Sequence, residues 1–168
     1  MTPHDERFKS WMKDHLAVLH RISRAFAEPA DQHDLLQELM IAVWKAAASF
    51  RGDSAPATFI YRVAHNRAIS WRRREFGRIR GAASIEQDWP LLNVGSEGAD
   101  DAVVLDRLYA VIRMLGTLDR SLVLLSLEGA SYRDMSRLHG LSETNVGVRL
   151  NRARAWIAAQ MEANGDGL

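Results

Sequence analysis

The chain contains no cysteine, which excludes disulfides and thiolate metal sites and suits a reducing cytoplasm. It also lacks any run of about 18 or more apolar residues, the length needed to cross a bilayer. The N-terminus, "MTPHDERFKSWMKDH", carries acids early and no apolar h-region, so it does not read as a secretory signal. No strand alternation is long enough to suggest a sheet, and there is no internal repeat or low-complexity tract. The six histidines have no His-x-x-x-His spacing, and no glycine-rich phosphate loop follows a strand, so an enzyme is not expected. The expectation is a non-catalytic protein without metal or cofactor.

Base is missing from one segment only. Residues 81–105 hold five acids and no Lys or Arg, whereas residues 1–80 hold 14 bases against 9 acids. Residues 106–168 are near neutral, with 8 bases against 7 acids, and their arginines bunch towards the end. The net charge of +1 therefore hides an arrangement that points to an electrostatic partner.

With 168 residues and 47% hydrophobic content, the chain can form one medium domain or two small ones. Phe8, Trp11, Met12, Leu16, Leu19, Ile22 and Phe26 fall on one face of an amphipathic helix. Asp31 is placed to cap a second helix, with a stripe of Leu35, Leu36, Leu39, Met40, Val43, Trp44 and Ala47. "RGDSAP" breaks the pattern, and a third helix is expected from about Ala57 to Glu75. Three helices with short connections suggest a small bundle. The acidic stretch reads as a flexible linker, although its "WPLL" is unusually apolar. Periodicity resumes with Leu105, Leu108, Val111, Ile112 and Leu115, followed by the short apolar helix "RSLVLLSLE". The fold expected is all-α: two small helical domains joined by a flexible acidic linker, with boundaries at 1–78, 79–104 and 105–161 and a tail at 162–168.

Two stretches carry functional chemistry. Near the C-terminus, Ser131 with Asp134 fits a helix-capping pattern, His139-Gly140-Leu141 supplies a turn, and Ser142 caps a longer helix. Two helices joined by such a turn form a helix-turn-helix, whose second helix enters the major groove. Successive residues of a helix are turned by about 100°, which puts Val146, Leu150, Ala153 and Ile157 on the core side. Thr144, Val148, Asn151 and Arg152 lie opposite, flanked by Asn145, Gly147, Arg149 and Arg154. Short or polar groups there can reach base edges while cations meet phosphates; an amphipathic helix with solvated arginines has the same pattern.

The other stretch is "FRGDSAPATFIYRVAHNRAISWRRRE", Phe50 to Glu75. Ile60, Ala64 and Trp71 share one face of its helix, whereas Arg62, Asn66, Ile69 and Arg73 share the other. Cations interleaved with aromatics suit unstacked bases, although charge runs are also common on solvated faces.

Together these stretches resemble the extracytoplasmic-function (ECF) group of sigma-70 family sigma factors. Residues 34–75 are similar to sigma region 2 and residues 115–157 to region 4, in that order across a short linker. The resemblance implies binding of the polymerase β′ clamp by Asp34, Leu35, Gln37 and Glu38 of "DLLQE". It also implies capture of a flipped −10 base by the "FRGDSAPATF" turn and Asn66, with Phe50 and Phe59 walling the pocket and Asp53 and Ser54 beside them. Arg62, Arg67, Arg72, Arg73 and Arg74 take backbone phosphates in that scheme. The −35 element falls to Thr144, Asn145, Val148, Arg149, Asn151, Arg152 and Arg154, with Ser131 and Tyr132 on phosphates. Implied partners are core RNA polymerase through its β′ clamp and β flap, promoter DNA and an anti-sigma factor, in the cytoplasm and without membrane insertion. The chain departs from the family in having Phe59 where Trp is usual, Gly147 where Lys or Arg is common, and Ser136 for a common Ala. The other reading is a stand-alone helix-turn-helix regulator with an N-terminal interaction module.

Overall fold

The computed structural model describes residues 2–80 and 101–163. The chain divides into two units, Met1–Ser84 and Ile85–Leu168. The linker residues up to 100, "WPLL" among them, lie outside the described residues, as does the tail from 164.

Unit 1 packs three helices against one another: α1 (Pro3–Phe26), α2 (Gln32–Ala47) and α3 (Pro56–Arg80). Trp11, Leu19, Ile22 and Phe26 of α1 are buried, as are Leu35, Leu39, Val43 and Ala47 of α2. Ile60, Ala64, Ala68 and Trp71 complete the core from α3. The spacing of three and four residues in each set puts these apolar groups on one stripe per helix. Arg7 ties α1 to the end of α2, donating to the Ala47 carbonyl at 2.8 Å. That carbonyl belongs to a helix end that lacks an intrahelical donor.

The structure revises several expectations here. Asp31 makes no side-chain cap; it ends a 3-10 turn, Pro29–Asp31, that leads directly into α2. Trp44 is 40% exposed rather than core, because its indole reaches the rim and donates to Asp5 Oδ1 at 3.1 Å. Tyr61 and His65 are buried, their rings stacked with centroids 5.5 Å apart. The third helix continues through Gly77 to Arg80, since one glycine weakens a helix without ending it.

Unit 2 comprises α4 (Asp101–Met114), α5 (Thr117–Leu127), α6 (Tyr132–His139) and α7 (Glu143–Ala163). Helix α4 therefore begins inside the span expected for linker, and α7 runs into the expected tail. Leu105 is 42% exposed, and burial on α4 begins only at Tyr109. The core gathers Val111, Ile112, Leu122, Leu124, Met135, Val146, Leu150 and Ala153.

Arg120 lies in this core at 1% exposure. Its guanidinium donates to the carbonyls of Arg113 and Leu115, the latter at 2.8 Å. It thus caps the C-terminus of α4, where a cation also meets the negative end of the helix dipole. Arg120→Met is expected to destabilise unit 2 by about 3 kcal/mol, because each buried acceptor left without a donor is costly. Denaturant unfolding of the full chain checks this, and an unchanged midpoint would contradict the capping role.

His139, in the last turn of α6, has its pKa lowered by burial from the ordinary 6.5. The folded state therefore favours neutral imidazole, and the associated stability is present above pH 6.5 and lost as pH falls towards the lower folded value. Thermal melting between pH 7.5 and 5.5 is expected to fall less steeply in His139→Gln than in the parent.

Candidate nucleic-acid interface

The turn between α2 and α3 is walled by aromatic rings. Phe50 and Phe59 lie with ring centroids 5.0 Å apart, and Trp11 meets them at 5.1 and 5.8 Å. Trp11 is 6% exposed and holds the two half-buried phenylalanines from behind. Arg7 sits over Phe50 and Arg62 over Phe59, at 5.8 and 5.9 Å from the ring centroids. Gly52 has φ +83°, a left-handed conformation that suits glycine and lets the turn reverse here. Asp53 is exposed and Ser54 half-buried in the same turn.

From that turn α3 presents Arg62, Asn66 and Arg73 as exposed side chains. They share the face opposite Ile60, Ala64 and Trp71, as the helical period requires. The remaining arginines are differently placed. Arg67 and Arg74 each approach Glu38 Oε2 of α2 at 2.7 Å. Arg72 is partly buried and lies over Phe76, 5.0 Å from its ring centroid; burial lowers its pKa, opposed by Glu28. Phe76, absent from the sequence-based site, is 48% exposed on the outer face of α3. Its i+3 spacing from Arg73 was the available signal.

On α2, Asp34 and Gln37 are exposed, Glu38 is half-buried, and Ile41 is 52% exposed among them. Leu35 is fully buried. It belongs to the core that supports this surface and cannot reach a partner, because it faces α1 and α3 on the α2 stripe.

The helix-turn-helix of unit 2 is held at both joints. Ser131 Oγ accepts from the Asp134 amide at 3.1 Å and donates to the Asp134 carboxylate at 2.6 Å. That hydroxyl is the main reason the Asp134 carboxyl lies below its usual range. Gly140 takes φ +66° at the end of α6, and Ser136 donates to the Leu141 carbonyl across the turn. Ser142 Oγ then accepts from the Asn145 amide at 3.1 Å, opening α7. Ser131 is thus occupied as a cap: its one hydroxyl hydrogen is given to Asp134, which leaves a lone pair for another donor and no hydrogen for a phosphate oxygen.

Thr144, Asn145, Val148, Asn151 and Arg152 are exposed along α7, opposite buried Val146, Leu150 and Ala153. Arg149 is instead turned towards α5, its Nε 2.8 Å from Asp119 Oδ1, and Arg154 donates to Ser126. Tyr132 is 40% exposed and leans over Gly147. Among the described residues no helix is long and apolar enough to cross a membrane, and no group of acids and histidines could hold a metal ion.

Residues 8–76 match Sigma-70 region 2 and residues 105–157 match Sigma-70 region 4. The ECF RNA polymerase sigma factor SigM of Mycobacterium tuberculosis is 28% identical over 152 residues, covering 90% of this chain and 75% of SigM. The sigma factor CnrH of Cupriavidus metallidurans is 27% identical over 169 residues, covering 90% of this chain and 85% of CnrH. The sigma factor RpoE of Bartonella quintana, solved with the anti-sigma factor NepR, superposes with a TM-score of 0.71 at 20% identity, covering 94% of this chain and 98% of RpoE. CnrH solved with the cytosolic domain of CnrY gives a TM-score of 0.62 at 22% identity, covering 95% of this chain and 90% of that one. With a region 2 bundle and a region 4 helix-turn-helix in order along one polypeptide, the chain belongs to the ECF group of the sigma-70 family of RNA polymerase sigma factors.

Proposed function

We propose that the two faces described above divide promoter recognition between them. The exposed face of α3, with the Phe50–Phe59 turn, takes a base unstacked from the −10 element, and the exposed face of α7 reads the −35 duplex. The observation that carries this reading is that both faces combine amides or hydroxyls with exposed guanidinia. Asn66 stands with Arg62 and Arg73, and Thr144 and Asn151 stand with Arg152. Amides and hydroxyls hydrogen-bond base edges, whereas guanidinia hold phosphates.

Flipping a base costs a few kcal/mol of stacking, which ring contacts and hydrogen bonds in the receiving pocket must offset. Phe50 and Phe59, backed by Trp11, supply the rings, and Asn66 supplies the polar contact. Asp34, Gln37 and Glu38 form a polar and acidic surface on α2 that suits a basic partner such as the β′ clamp. Unit 2 offers a groove of mixed character, lined by Met114, Leu115, Ala153 and Trp156 together with Asp119, Arg152 and Gln160, as a seat for the β flap. The structural relatives were solved with anti-sigma factors, and a sequestering partner of that kind is proposed for this chain too. Work on polymerase inside the cell places the protein in the cytoplasm and requires no catalysis of its own.

Run-off transcription with bacterial core polymerase on a genomic promoter library tests the assignment. Asn66→Ala should lower output from promoters selected for their −10 sequence about tenfold, and Arg152→Ala should do the same through the −35 element. Unchanged output from both variants would refute the residue roles. Sequence-specific duplex binding at full strength without polymerase would favour a stand-alone regulator instead.

The Glu38 pairing yields a separate expectation. Glu38→Gln releases Arg67 and Arg74 for phosphates, so binding of the free chain to a single-stranded oligonucleotide should become more salt-dependent. Two added phosphate contacts steepen the slope of log K against log salt by about 1.4. An unchanged slope means that the carboxylate does not hold these arginines back.

A further inference from the structure

The α7 face contains an uncharged spot built from three residues. A Cβ placed on Gly147 would lie 3.2 Å from Tyr132 Cε2 and 3.7 Å from Cδ2. The Tyr132 ring therefore rests on the helix backbone, and any larger residue at 147 must displace it. Val148, the next residue, is 48% exposed, and Tyr132 is 40% exposed. Helical geometry puts position 148 on the same outward face as Thr144, Asn151 and Arg152.

Such a pair is unusual where it stands. Arg133 and Arg137 of α6 and Arg152 of α7 are exposed in the same unit, with Glu143 and Asp134 as the nearby acids. Cations of that kind match a polyanion, but an isopropyl group and a ring edge gain nothing from phosphate. On the base edges of the major groove, the apolar group available to them is the thymine 5-methyl.

We propose that Val148, with the Tyr132 ring seated on the adjoining Gly147, contacts the 5-methyl group of one thymine in the −35 duplex and so selects thymine at that position. The inference rests on the reading that α7 lies in the major groove, and it adds a base preference to that reading. Glycine at 147 serves two ends: it admits the ring, and it keeps a long cation from covering Val148.

The experiment uses the full chain with core polymerase on duplex promoters enriched from a library randomised upstream of the −10 element. Each thymine of the enriched −35 site is replaced in turn by deoxyuridine, which lacks only the methyl group. One position should lose about fourfold in affinity, the value of a single buried methyl-sized group. Val148→Ser should abolish the thymine–uracil difference at that position alone, while Val148→Thr, which keeps one methyl, retains part of it. Gly147→Ala should reduce it by moving the ring.

Equal binding of thymine and deoxyuridine everywhere, with Arg152→Ala still weakening the complex, would overturn the methyl contact and leave groove reading intact. Loss of the Arg152→Ala effect as well would overturn the underlying reading. If Val148→Ser impaired assembly with polymerase and left the thymine preference intact, the apolar spot would belong to a protein interface and the proposal would fail.

Discussion

A helix of this chain has one face for packing, and that division governs everything the protein can present. Leu35, Leu39, Val43 and Ala47 are buried completely on α2, and Ile60, Ala64 and Ala68 on α3. Once these side chains are fixed against α1, Asp34 and Gln37 must point outward from one helix and Arg62, Asn66 and Arg73 from the other. In unit 2, Val146 and Leu150 do the same for Thr144, Asn151 and Arg152. The hydrophobic effect sets the orientation of the polar faces without itself touching a partner. A polar substitution on a stripe would thus misdirect a whole face as well as weaken the core.

Within unit 1 the two presented faces are also joined electrostatically. Glu38 belongs to the α2 surface proposed for polymerase, yet its Oε2 lies 2.7 Å from arginines of the helix proposed for DNA. Ion pairs this accessible to water are worth roughly 0.2–1 kcal/mol each and are screened by salt. They are weak enough to exchange with phosphate, and strong enough to orient guanidinia that would otherwise sample many rotamers. A polymerase surface that competes for Glu38 and a strand that competes for Arg67 and Arg74 then favour each other. Each removes a charge that the other contact would have to displace, which is thermodynamic coupling between neighbouring sites.

Much of this was legible in the chain because it is local. The helix-turn-helix follows from Ser131, Gly140 and Ser142, residues whose roles depend only on neighbours within a few positions. The buried stripes follow from the helical period. What could not be read depends on the geometry of turns or on groups far apart in sequence. Arg120 opens "RSLVLLSLE" like any surface arginine, and only the turn between α4 and α5 brings it back to the carbonyls of Arg113 and Leu115, seven and five residues earlier. Trp11 joins Phe50 and Phe59 across 39 and 48 residues, and Arg74 meets Glu38 across 36. Asp31 had the chemistry of a cap, but the 3-10 turn placed it in a helical conformation from which its side chain does not reach an amide.

Gly147 shows how a residue that weakens local structure can remain compatible with the fold. Within a helix, glycine is about 1 kcal/mol less favourable than alanine. Helix α7 does not depend on that position for its stability, because Val146 and Leu150 bury the helix against the core on the neighbouring face and Ser142 caps its start. In return the Tyr132 ring comes within contact of the α7 backbone. That contact links the first turn of α6 to the first half of α7, beside the Ser136 bond that spans the turn itself. The angle between the two helices is therefore set from both ends of α6. A reading helix in a groove must be held to a fraction of an ångström if its short side chains are to find base edges, and a ring resting directly on backbone leaves less slack than a flexible side chain between them.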